Sequence, residues 1–580
     1  MAKSHLAKFA YMALGTALTA SHASAAPMLH DVLIHGGMIY DGTGRPPFPG
    51  DVVIDGDRIS YVGPHKGAKA RRVIDARGQA VSPGFINMLS GADSSLMADG
   101  RGESDLIQGV TLEVAGEGTS MGPLSEAMVA RDEKRADSGI TSIAWRSFGD
   151  YFEALERKGI SPNIASMVGA STVRDYVLGE ADVQPTSDQL AQMQALVRQA
   201  MTEGALGVSS ALIYAPGTFA KTPELEALAA EAGKCGGIYI THMRSEGNSL
   251  LEAADETIGI ARASGAPAEI YHLKAAGKAN WPKLDGVIAK ITAARASGIR
   301  ITTDMYPYTA ASTGLDASMP HWVLDGGLEA WIARMKDPAT RVRLLAEMQS
   351  PDPDFESGLI AAGPEGTLLL RFRTEKLKPL SGKTLAEVAT MRGKSPEETA
   401  IDLVIEDGTR IGVAYELMSE DNLRKEVVLP WMSFNSDAGA ITPEGAVLRT
   451  VQHPRGYGTF ARVLAKYVRE EMLVPLADAI HRLSGLPAAN LSLKQRGVLK
   501  AGNFADVVVF DPAAIQDHST FESPHQLATG VHYVAVNGGL ALDDGKFTGA
   551  HTGRFIRGQG WSGWKDGSCR ASAKDWSWRW

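Results

Sequence analysis

The sequence predicts an α/β chain with a (β/α)8 barrel as its leading form, β-rich segments at both chain ends that could pair into a small β-sandwich, and a lid insertion. Three observations predict it. Across the middle of the chain, short β-branched apolar runs alternate with amphipathic stretches, the pattern of parallel strands joined by crossover helices. DVLIHGGMIYDGTG and DVVIDGDRISYVGP near the start, with ADVVVF and YVAVN near the end, carry the alternation and Gly-rich turns of small sheets. From 309 to 394 the alternation blurs, and Pro, Gly and charges become frequent.

In chain order, residues 1–25 read as a signal peptide. Lys3 and Lys8 give a basic start, residues 9–20 an apolar stretch, and Ala23-Ser24-Ala25 a small-residue cleavage pattern. The apolar stretch is short for a bilayer span, so the expectation is an exported protein, periplasmic or secreted, with no stable membrane insertion after signal removal. Residues 26–83 then form the first part of the sandwich. Residues 84–308 carry barrel strands one to seven, with runs at 205–210, 238–242, 268–272 and 299–304. Helical stretches at 187–203, 223–233 and 282–297 separate them. The insertion follows at 309–394, and the rest of the barrel at 395–490 includes an eighth strand at 431–436. Residues 491–548 complete the sandwich. The tail, 549–580, ends Trp576-Ser577-Trp578-Arg579-Trp580 and is expected to dock, because exposed tryptophans are unfavourable.

The formal net charge is −9 without a long basic run, which weighs against nucleic-acid partners and anionic membrane surfaces. Two cysteines, Cys235 and Cys569, are too few for a disulfide framework, and a single bridge between them stays open.

The chemistry-bearing residues sit at strand ends. IYITH closes on His242 and AEIYH on His272. In a parallel barrel, strand ends open on one face, where active sites lie. One such histidine alone reads better as a hydrogen-bonded structural residue; two at equivalent places favour a metal ion, for which neutral imidazoles are good ligands. WMSFNSD closes on Asp437. Alone it would read as a turn or cap residue; beside the histidines it reads as a general base acting on water. In GVTLEVAGEG, Glu117 stands between glycines at the exit of a second strand, either as a third metal ligand or as a solvated loop carboxylate. Glu113, on that strand's body, would need a buried partner.

Six segments together carry a specific resemblance: THMRSEG at 241–247, YHLKAAG at 271–277, DMYPYTAAST at 304–313, SFNSDAG at 433–439, HPRGYGTFARVL at 453–464 and RGVLKAGNFADVVVFDP at 496–512. The chain resembles the D-aminoacylase group, the N-acyl-D-amino-acid deacylases of the amidohydrolase superfamily. The likeness is weakest in the insertion and absent from the Trp-rich tail. It implies one zinc per chain on His242 and His272 with Glu117, and Asp437 as the base. It implies Lys274, Tyr306 and Ser312 as contacts to a substrate carboxylate, with Tyr214 and Arg455 facing the substrate cavity. The implied reaction is zinc-dependent hydrolysis of the amide of an N-acyl amino acid, D-configured, or of a related peptide. A dipeptidase, another amidase and a catalytically inactive binding protein of the same fold are the alternatives. Three places depart from the pattern. Leu89 and Gly91 stand where strand one normally ends in His-x-His, Gly118 stands where a cysteine ligand is found, and no lysine follows LGVSSAL on strand four. A dinuclear centre is therefore not expected.

Overall fold

The structure, a computed structural model, describes residues 29–65, 67–135, 142–350 and 355–565, together with Met1, Ile140 and Cys569. The expected signal peptide, apart from Met1, and Trp576, Trp578 and Trp580 lie outside the described residues.

Eight parallel positions form the barrel. In chain order they are β1 (Phe85–Asn87), β2 (Val110–Ala115), β3 (Asn163–Ser166, continuing at Val168–Gly169), β4 (Gly207–Ala211), β5 (Ile238–His242), β6 (Ala268–Ile270), β7 (Ile301–Met305) and β8 (Met432–Phe434). Each pairs in parallel with the next. The ring closes where Met88 N–H donates to the Phe434 carbonyl at 3.3 Å and Ser90 bridges Ala438. The strands are short and wholly buried, as a sheet covered by helices on its outer face requires. The connecting helices start and stop where the local chemistry dictates. Ser187–Glu203, for example, opens on a capping box between Thr186 and Gln189 and closes on Gly204 in the left-handed region. Inside the barrel, Glu113 finds its partner in Asn87, whose Nδ2 donates to it at 2.9 Å. Burial and the nearby Asp105 push the Glu113 carboxyl well above its ordinary range.

Both chain ends build one small β unit. Ala80–Pro83 pairs antiparallel with Val507–Phe510, joining N-terminal and C-terminal strands in a nine-stranded sheet. Val32, Ile54 and Ile74 from one end share a core with Val507, Val509 and Ala535 from the other.

The insertion is longer than the sequence suggests. Its own sheet pairs Ala310–Gly314 with Gly412–Glu416 and that strand with Thr367–Arg371. Leu385, Leu403, Val413 and Met418 belong to its separate apolar core. The boundary at 394 is thus corrected to beyond Met418, and the barrel resumes with the helix Glu420–Val427 before β8. The strand and helix patterns past 394 are real, but periodicity does not say which core an apolar face enters.

The described part of the tail runs along the barrel. Phe555 is buried, stacks on Phe152 at 4.2 Å, and bridges Ile164 in β3. Cys569 is disulfide-bonded to Cys235, which caps the helix Thr222–Lys234. Among the described residues, no helix is long and apolar enough to cross a membrane.

Candidate active site

β2 hands the chain to a turn in which Gly116 (φ +98°) and Gly118 (φ +65°) flank Glu117. A Cβ at Gly118 would stand 2.5 Å from Ala211 Cβ and 2.7 Å from its nitrogen. No side chain fits there, so the ligand this loop offers is Glu117. Gly118 N–H donates to Ser209 Oγ at 3.0 Å, which fixes the turn against β4. Glu117 Oε1 lies 2.9 Å from His242 Nδ1 and 3.0 Å from His272 Nε2. The two rings are 4.5 Å apart at 80°. Burial alone would raise the Glu117 carboxyl; the hydrogen bonds from both imidazoles outweigh it and hold the group well below the usual carboxylate range. Two imidazole nitrogens and one carboxylate oxygen converging on one point are a fitting donor set for zinc.

His272 lies just past β6 with φ 33°, a left-handed backbone that costs a non-glycine residue about 1–3 kcal/mol. It is held there by Asp304 Oδ1, which accepts the His272 backbone N–H and the Asn435 Nδ2 donor, the latter at 2.7 Å. Asp304 and Asn435 fall inside quoted motifs, yet nothing in the pattern assigned them this role.

The far sides of both imidazoles meet one further residue that the sequence did not single out. Glu246 Oε1 is 3.0 Å from His272 Nδ1, and its Oε2 is 3.7 Å from His242 Nε2. Lys274 Nζ donates to the same Glu246 Oε1 at 2.6 Å. Glu246 lies in the loop between the strand ending at His242 and the helix Leu250–Ser264, and nothing in its spacing marked it. The 3.0 Å contact places a carboxylate directly behind His272, whose Nδ1 also lies 2.6 Å from Lys274 Nζ, while the 3.7 Å separation from His242 Nε2 is too long for a hydrogen bond. Glu246→Gln is therefore expected to weaken zinc binding about 10- to 100-fold. Competition with a chelator reads this directly, and unchanged affinity would remove Glu246 from the site.

Asp437 follows β8, also with a positive φ of 43°. Its Oδ2 forms an ion pair with Arg455 Nη1 at 2.8 Å. Burial raises the Asp437 carboxyl, Arg455 opposes, and the nearby Glu117 charge raises it again; the net shift is upward. A cavity of about 630 Å³ is lined by Glu117, His242, His272 and Asp437 with Tyr214, Lys274, Tyr306 and Ser312. Tyr214 Oη is fixed by Thr313 Oγ1 at 2.8 Å. Arg455 is buried. Its guanidinium lies 4.5 Å over the Tyr306 ring and reaches the cavity through Asp437.

Leu89 is buried in an apolar cluster with Met88, Leu112, Val114 and Tyr271. A Cβ at Gly91 would meet only ordinary contacts, the nearest 3.5 Å from Gly439 N. Neither position presents a donor to the metal cluster.

No family model matches the chain. D-aminoacylase of Alcaligenes xylosoxydans xylosoxydans is 34% identical over 527 residues, which cover 91% of this chain and 97% of that protein. A D-aminoacylase structure concerned with one-metal activation and second-metal attenuation in a binuclear centre superposes with TM-score 0.75 at 33% identity, covering 91% of this chain and all of that one. The N-acyl-D-glutamate deacylase of Bordetella bronchiseptica, solved with zinc and a phosphonate mimic of the tetrahedral intermediate, gives TM-score 0.76 at 28% identity with the same coverage. With a barrel that presents two histidines at the ends of β5 and β6 and an aspartate after β8, and with identity at this level over nine-tenths of its length, the chain belongs to the D-aminoacylase family of amidohydrolases.

Proposed function

We propose that this protein is a zinc-dependent N-acyl-D-amino-acid deacylase. The observation that carries the reading is the convergence of Glu117, His242 and His272 in one cavity with Asp437 and with Lys274, Tyr306 and Ser312. Glu117, His242 and His272 would hold the zinc. When bound, it supplies Lewis-acid polarisation of the acyl carbonyl and a more acidic water. Asp437 accepts the water's proton on a carboxylate oxygen as the water oxygen bonds to the acyl carbon. It returns that proton to the amide nitrogen as the C–N bond breaks, leaving a carboxylate and a free amino acid. The Lys274 ammonium and the Tyr306 and Ser312 hydroxyls suit the substrate's α-carboxylate. Two cations near the remaining wall are already paired, Arg244 with Glu256 at 3.0 Å and Arg410 with Asp316 at 2.8 Å. Met319, Leu324 and Phe355 line that wall together with Lys278, His321 and Glu356. A panel of N-acyl-D- and N-acyl-L-amino acids and dipeptides, tested on zinc-loaded protein, decides the matter; hydrolysis of none of them overturns the reading.

The acid limb of kcat/KM should lie above the ordinary aspartate range, because Asp437 must be ionised to act and its pKa is raised. Arg455 favours the ionised form, so Arg455→Gln should move that limb to still higher pH. A pH–rate profile that does not move would separate Arg455 from the base.

The D-aminoacylase relative concerns attenuation by a second metal. With Leu89 and Gly91 in this chain, zinc titration should raise turnover to a plateau and excess zinc should not depress it. Inhibition by excess zinc that disappears on changing a residue of the active-site cavity would contradict this.

We further propose that the protein works outside the cytoplasm, in the periplasm or secreted. The basic, apolar and small-residue pattern of residues 1–25 supports it, as does a disulfide, which persists in oxidising compartments. N-terminal sequencing of the exported chain tests it.

A further inference from the structure

We propose a second metal site on the β unit, in which His35, Asp51 and His65 bind a divalent transition cation such as zinc. Three separate segments supply it. His35 lies on the strand His30–Ile39, Asp51 on Phe48–Asp55, and His65 just after Arg58–Gly63. The Asp51 side chain is 2% exposed. Its Oδ1 accepts the Gly36 backbone N–H at 3.0 Å and lies 3.0 Å from His35 Nδ1. Its Oδ2 lies 2.6 Å from His65 Nδ1.

The internal comparison carries the argument. Among the described residues, two groups bring three ligand atoms of His, Cys, Asp or Glu within 4.8 Å of one another: this one and Glu117, His242 and His272. Both consist of two imidazoles turned toward one carboxylate. The rings are 4.7 Å apart at 60° here and 4.5 Å apart at 80° in the active site. The nitrogen–oxygen separations are 2.6 and 3.0 Å here and 2.9 and 3.0 Å there. Ligands at about 2.0 Å around a tetrahedral zinc stand about 3.3 Å apart, so a small opening admits the ion.

Satisfying Asp51 does not require this arrangement. The Gly36 N–H and one imidazole would already give each carboxylate oxygen a donor. The second imidazole comes from a different segment and still aims Nδ1 at the same group. The side chains of His35 and His65 are 34% and 58% exposed, which leaves a solvent face for water as a fourth ligand. A bound ion would pin the chain after Arg58–Gly63 to the first two strands.

The test is zinc stoichiometry on the full chain by equilibrium dialysis and elemental analysis. The native protein should bind two zinc ions, and the H35A/H65A double variant one, with deacylase turnover unchanged. His242→Ala should lose the other ion and keep this one, which separates failure of this site from failure of the active-site assignment. His65→Ala alone, at an exposed side chain, guards against a folding artefact and should also remove the second ion. A native stoichiometry of one that falls to none in His242→Ala would overturn the proposal, as would two ions retained in H35A/H65A.

Discussion

Asp437→Asn is expected to keep its zinc and lose turnover on the order of 10²- to 10⁴-fold, the usual contribution of a general acid–base group. The substitution preserves size and planarity. The amide oxygen still faces Arg455, which sits 2.8 Å from Asp437 Oδ2, so the local packing has no reason to change. What is lost is a group able to take a proton at neutral pH. Asp437 is not one of the three residues that converge as ligands, so zinc content should stay near native. The measurement pairs kcat with metal analysis on the same sample. Turnover near native with zinc retained would assign the base elsewhere. Loss of zinc together with turnover would show that Asp437 holds the metal.

The sequence showed the barrel and two of the three residues proposed to hold the metal because both signals are local. A β-branched run ending in histidine identifies itself at His242 and again at His272, and the barrel's geometry puts both on one face. The third ligand was ambiguous, and the ambiguity was conformational. Glu117 and Gly118 are neighbours, and only the positive φ of Gly118 and the close approach of Ala211 show why the side chain must come from Glu117. Other features were hidden by distance along the chain. Glu246 matters because its carboxylate lies behind two histidines from different strands. The ion pair between Arg455 and Asp437, 18 positions apart in sequence, is visible only in three dimensions. The true end of the insertion depends on which core receives Leu403 and Val413, and both strands and helices look alike in sequence whichever core they enter. The pairing of Cys235 with Cys569 likewise required coordinates.

His242→Ala should abolish zinc binding at the active site and turnover together. His242 contributes one of only three converging donors, and a zinc site needs at least that many protein ligands to retain its ion. The loss also removes the 2.9 Å partner of Glu117, whose depressed pKa depends on both imidazoles. A replacement donor is not at hand. Leu89 is packed among apolar side chains and Gly91 has no side chain, so strand one has no ligand to offer. His242→Ala is therefore a cleaner test in this chain than in one that keeps a strand-one His-x-His, where a second set of imidazoles stands nearby. The experiment compares zinc content and deacylase turnover in native and variant protein, with circular dichroism to establish that the fold is retained. Imidazole added in solution should restore part of both by filling the vacated place. Full turnover in a folded variant that binds one zinc fewer than the native protein would refute the metal-dependent mechanism outright.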